Sequence, residues 1–138
     1  MNPALNALTT KLNWQLNELH LHLQEAQNQA QAVMQQMQKI DEQIGHARLN
    51  SLLINPDLEI NRLNFVMQQQ EKKEVLAAQM KSHQDLEHKL KEKIQRLRTE
   101  LKMLEKYMAR EELIQKEQQN KAQDNAMDEW VIQKKELL

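Results

Sequence analysis

Apolar residues recur along the first part of the chain at Leu16, Leu19, Leu23, Ala26, Ala30, Val33, Met37, Ile40, Ile44 and Ala47. The steps alternate three and four, the spacing of a heptad seam on an α-helix. Leu5, Leu8 and Leu12 extend this seam toward the N-terminus through one extra four-residue step, which predicts a stutter that locally unwinds the supercoil. Ala26 and Ala30 narrow the seam and allow a partner helix to come close. The pattern breaks at Leu53-Ile54-Asn55-Pro56-Asp57. There Asn55 suits an N-cap and Pro56 the first position of a new helix.

A second seam follows: Leu76, Met80, His83, Leu86 or Leu90, then Ile94, Leu97, Leu101, Leu104 and Met108. Its spacing is regular from Leu90 to Met108. Acidic and basic residues four apart recur beside it, as Asp85/Lys89, Glu87/Lys91, Glu92/Arg96, Glu112/Lys116 and Glu117/Lys121. Such pairs each add a few tenths of a kcal/mol to an exposed helix. Beyond Met108 the seam positions fall to Glu111, Gln115 and Gln118, and the last apolar cluster is Met127 with Trp130-Val131-Ile132. Two long helices with a short break between them predict one domain over residues 1–138: an all-α, elongated, antiparallel two-helix coiled-coil hairpin. Helix one is expected over about 4–53, the break over 54–57, helix two over about 58–125, and a loosely ordered end over 126–138.

Composition narrows the function. The chain has one Gly and two Pro in 138 residues, too little turn chemistry for a multi-stranded sheet. Without cysteine it has no disulfide framework and no thiolate metal site. No apolar run approaches a membrane span, and the first residues lack the basic and apolar regions of a secretory signal. A net charge of -1 is unlike that of a general nucleic-acid coat or a polybasic membrane anchor.

Candidate chemistry is sparse. No Gly-rich loop offers backbone amides to a phosphate, and the hydroxyls are two Ser and three Thr, none in a nucleophile elbow. His20 and His22 are two apart and His83 and His88 five apart, spacings that do not bring two ligands onto one helix face. No cofactor and no catalysis is expected. The basic stretch Lys89 to Arg98 looks like the DNA-reading region of a basic zipper, but Leu90, Ile94 and Leu97 run a seam through it and Glu92 interrupts it. A solvated coiled-coil flank, or a basic stripe facing an acidic protein surface, accounts for it without nucleic acid. Asn and Gln fill 15 of the first 50 positions, and the seam among them speaks for a polar-sided helix over a prion-like tract. Trp14, Phe65 and Trp130 are either packing residues or partner anchors, since large aromatics dominate interface energies.

The layout resembles the FliJ-like family of flagellar type III export proteins and their YscO-type injectisome counterparts. Three features carry the resemblance at matching separation: the Asn/Gln-rich heptad helix, the segment Ile54-Asn55-Pro56 through Asn61-Arg62-Leu63-Asn64-Phe65-Val66, and Met127-Asp128-Glu129-Trp130. The resemblance implies a cytoplasmic hairpin, peripheral at the inner membrane and similar to the central stalk of rotary ATPases. Its terminal ends would enter a hexameric type III export ATPase and its tip half would engage the cytoplasmic domain of the export-gate membrane protein. It would also escort empty export chaperones. On that basis Met127, Asp128, Glu129 and Trp130 face the ATPase. Phe65, with Gln38 and Glu42, faces the gate, although Gln35, Gln38 and Glu42 stand where the family pattern has aromatics. A dimerising coiled-coil scaffold and an export chaperone are the alternative readings.

Overall fold

A computed structural model describes residues 2–49 and 56–137 of the chain. The protein is all-α, with α1 over Pro3–Leu49 and α2 over Pro56–Glu136 and no strand among the described residues. The expected turn at Leu53, Ile54 and Asn55 lies outside the described residues.

Both helices open on proline, whose missing N–H and fixed φ cost nothing in a first turn. Ahead of Pro3, the Asn2 side-chain oxygen accepts a hydrogen bond from the Ala4 N–H at 3.0 Å, an N-cap. Asp57 and Glu59 in the first turn of α2 and Lys134 and Lys135 in its last turn complement the helix dipole. Helix α2 therefore runs well past residue 125, where the fading seam placed its end. The segment beyond 125 contains no Gly or Pro, and losing a seam does not end a helix made of helix-forming residues.

Contacts divide the chain into two units, Asn17–Gln95 and Met1–Leu16 with Arg96–Leu138, where the sequence suggested one domain. In the first of these units, Gln27 lies against Glu87 and Asp41 against Lys73. Fourteen residues up α1 thus match fourteen residues down α2, so the helices are antiparallel there. Ala26, Ala30, Val33, Ile40 and Ile44 of α1 and Leu90 and Ile94 of α2 are the buried apolar residues of this unit. In the other unit Thr9 meets Met108, and Asn2 and Leu5 border a small hollow with Glu111 and Gln115, again antiparallel. Leu101 is buried there. Two helices leave every seam residue with one flank toward water, and no described side chain is completely enclosed.

Burial corrects the sequence reading at two positions. Thr9, not Leu8, points to the partner helix: Leu8 is 44% exposed, whereas Leu5, Thr9, Leu12 and Leu16 are half-buried in regular four-three-four steps. No stutter is present. The Thr9 hydroxyl donates to the Leu5 carbonyl at 2.9 Å and approaches the Met108 sulfur at 3.7 Å, so half-burial leaves it partnered. On α2 Glu87 takes the seam position and Leu86, at 46% exposure, turns outward. Read by burial, the α2 seam keeps its three-four alternation from Glu59 to Glu111. Its first part is polar: Glu59, Arg62, Gln69, Lys73 and Glu87 all take positions that an apolar reading passes over, and His83 holds the seam position expected of it from the sequence.

Candidate partner-binding surfaces

The residues singled out by the sequence separate into a groove and a helix end. Within the unit Asn17–Gln95, α1 and α2 border a groove of about 1150 Å³. Ile40 and Ala47 of α1 and Phe65, Val75 and Leu76 of α2 give it an apolar lining. Lys39 and Lys72 stand on opposite banks. The seam spacing explains the opening. Gln69 occupies a core position near Gly45, and a Cβ built on Gly45 would meet nothing within 4 Å. A carboxamide in place of an aliphatic side chain fills this layer of the seam less completely than an apolar residue would.

Phe65 lines this groove and is 39% exposed. Gln38 and Glu42 are exposed on α1 and are not among the groove's lining residues, so of the three expected gate-facing residues the groove takes in Phe65. Gln69 and Lys72 are among the lining residues that the sequence reading does not name. For Gln69 the signal is the continuation of the three-four alternation through polar residues, which a search for apolar positions alone does not see.

Met127, Asp128, Glu129 and Trp130 share one exposed turn of α2 in the unit Met1–Leu16 with Arg96–Leu138. Every described residue of α2 after Glu111 is exposed. Helix α1 begins at Pro3, and the hollow that Asn2 and Leu5 share with α2 reaches Gln115. The α2 segment beyond therefore has no described helix across from it. Trp130 is 57% exposed, with the Lys134 ammonium over its ring at 4.6 Å from the centroid. That cation–π contact contributes about 0.5–1 kcal/mol at an exposed site and holds the indole along the helix. Met127, Trp130 and Val131 follow i, i+3, i+4 and so form an apolar stripe.

The sequence-marked seam residues are placed as follows. Val33, Ile40, Ile44, Leu90, Ile94 and Leu101 are buried; Leu16, Leu19, Leu23, Met37, Leu97, Leu104 and Met108 are half-buried. Trp14 is exposed.

Polar seam residues find partners unevenly. Glu87 accepts from Gln27 at 3.2 Å and lies 2.9 Å from the Lys91 ammonium. The hydrogen bond from Lys91, then that from Gln27, holds its carboxyl below the usual range against the opposing effect of burial. Asp41 and Lys73 pair across the helices at 2.7 Å. Arg62 pairs with Glu59 on its own helix, leaving the buried Arg62 Nε without a partner among the described residues. Of the five acid–base pairs read from the sequence, Glu87/Lys91 closes, and Glu92 meets His88 at 3.1 Å instead of Arg96. Exposed pairs gain little in water, which explains why the others stand open.

Among the described residues no group of three or more His, Asp or Glu is placed to hold a metal, and no helix is long and apolar enough to cross a membrane. No protein-family model, curated protein or solved structure matches this chain.

Proposed function

We propose that this chain is a non-enzymatic stalk of a type III export apparatus that links a hexameric export ATPase to the export gate and aids the recycling of export chaperones. The observation that supports it most is the terminal part of α2. It extends as helix beyond the described contacts with α1 and presents Met127, Asp128, Glu129 and Trp130 to solvent. A segment of that kind is available to a protein partner without unfolding anything. The resemblance in sequence assigns the same four residues to the ATPase, and Phe65, with Gln38 and Glu42, to the cytoplasmic domain of the gate protein. In this reading the protein works at the cytoplasmic face of the inner membrane without entering it and without binding nucleic acid.

Intramolecular pairing also favours a stalk over a parallel homodimeric scaffold. The seam of α1 is already spent against α2, so each chain satisfies itself.

The test is a pull-down with the purified export ATPase and the soluble gate domain of the same cell. Trp130→Ala is expected to weaken ATPase capture and spare the gate, and Phe65→Ala to do the reverse. Full binding by both variants would remove the site assignments. Intact motility and export after deletion of the gene would remove the function.

A further inference from the structure

The groove and the free end of α2 carry complementary chemistry, and we propose that a second copy of this chain seats its Ala122–Ile132 segment in the groove. The groove asks for three things. Ile40, Phe65, Val75 and Leu76 call for an apolar helix face. Lys39 and Lys72 on its banks, neither in an ion pair among the described residues, call for acids flanking that face, against the single lining acid Glu71. The third requirement is set by Gln69. Its side chain lines the groove at 7% exposure with no hydrogen bond among the described residues, and its amide, which is not sealed off from the groove, is open to a polar group from outside.

The segment from Ala122 to Ile132 meets all three. Met127, Trp130 and Val131 supply an apolar face at helical spacing. Asp124, Asp128 and Glu129 supply three acids, and the eleven residues contain no base. Asn125 and Gln123 supply donors and acceptors for a carboxamide. The segment is already helical, so seating it carries no folding cost. Lys134 covers part of the indole and leaves the rest of a ring that is mostly exposed. Laid between α1 and α2, the incoming helix completes a three-helix coiled coil, and reciprocal exchange between two copies gives a closed dimer. The proposal does not depend on the export reading. Where both hold, a segment seated in a second copy is withheld from the ATPase.

The experiment is sedimentation of the full-length chain over a range of concentrations at low and high salt. A reversible monomer–dimer equilibrium is expected, with a monomer of 16.4 kDa and a dimer weakened by salt. Trp130→Ala and Lys72→Glu should each raise the dissociation constant by about tenfold or more, the loss typical of an anchor residue or a paired charge at an interface centre. Mixing Lys72→Glu chains with Asp128→Lys chains should restore association that is weakened in each alone. The chain has no cysteine, so Gln68→Cys and Val131→Cys chains can be mixed and oxidised, and a disulfide between unlike chains is expected. A chain that stays monomeric at every concentration overturns the proposal. So does a dimer unmoved by both substitutions, a disulfide formed only between two Val131→Cys chains, or a groove that takes up another protein's helix while the chain itself does not associate.

Discussion

Glu87 of α2 accepts a hydrogen bond from the Gln27 side chain of α1 at 3.2 Å while the Lys91 ammonium stands 2.9 Å from the same carboxylate. One acid thus ties the two helices together and satisfies itself on its own helix. Both contacts favour the charged carboxylate, so its folded pKa is lowered. In the unfolded chain the carboxyl takes up a proton at higher pH than in the folded chain, so the linked stability is present above the ordinary glutamate value and is lost as pH falls through the folded pKa. Urea unfolding followed by circular dichroism from neutral to acid pH is the measurement. Glu87→Gln should cost stability at neutral pH, and the gap between variant and parent should close on acidification. A constant gap would mean that the carboxylate charge plays no part.

The register of α2 can be tested by comparing two neighbouring kinds of leucine and isoleucine. Ile94 is buried against α1, whereas Leu86 turns outward beside the seam. Truncating a buried Ile to Ala costs roughly 2–5 kcal/mol, with the low end appropriate where a cavity opens to water, while an exposed truncation stays within about 0.5 kcal/mol. Ile94→Ala should therefore lower the unfolding midpoint clearly and Leu86→Ala hardly at all. Equal losses would restore Leu86 to the seam.

These two positions also mark how far the sequence could be read. The alternation of three and four along α1 from Leu16 to Ala47 identifies a helix with a single buried stripe, and two such helices with a short break imply the hairpin. Leu86 stands one residue off the spacing: the regular series from His83 to Leu90 passes through Glu87, whose carboxylate is partnered by Gln27 and Lys91. Leu8 departs in the same way, since Thr9 keeps the regular step and its hydroxyl is absorbed by the Leu5 carbonyl. The end of α2 was placed too early because a seam reports on partners, whereas a helix persists wherever its own residues favour it. The groove was invisible because it brings Ile40 and Ala47 of α1 together with Phe65 and Gln69 of α2, on two helices whose register only the folded chain supplies.

Gly45 offers a change in the opposite direction. It lies inside α1 with ordinary helical backbone, and an added Cβ meets nothing within 4 Å. Glycine in a helix interior costs roughly 0.5–1 kcal/mol relative to alanine through its unfolded-state freedom. Gly45→Ala should raise stability by about that amount in thermal and urea unfolding, without altering the partner interactions. A loss of stability would mean that the space beside Gly45 is used in solution by another side chain.

The last prediction uses the single tyrosine. The Tyr107 hydroxyl donates to the Glu111 carboxylate one turn on, at 3.1 Å. That hydrogen bond, then the negative charge of Glu111, favours the protonated phenol and raises its pKa. The sign follows directly: the contribution to stability is full below the ordinary phenol value and disappears as pH rises through the folded one. Because the chain contains one Tyr, the ultraviolet absorbance of tyrosinate reports this residue alone. Glu111→Gln keeps an acceptor but removes the charge, and it should return the titration part of the way toward the ordinary value. Glu111→Ala should return it fully, and moderate salt should act in the same direction on the parent by screening the charge. A titration that Glu111 substitutions leave in place would show that the ring is held by something other than this carboxylate.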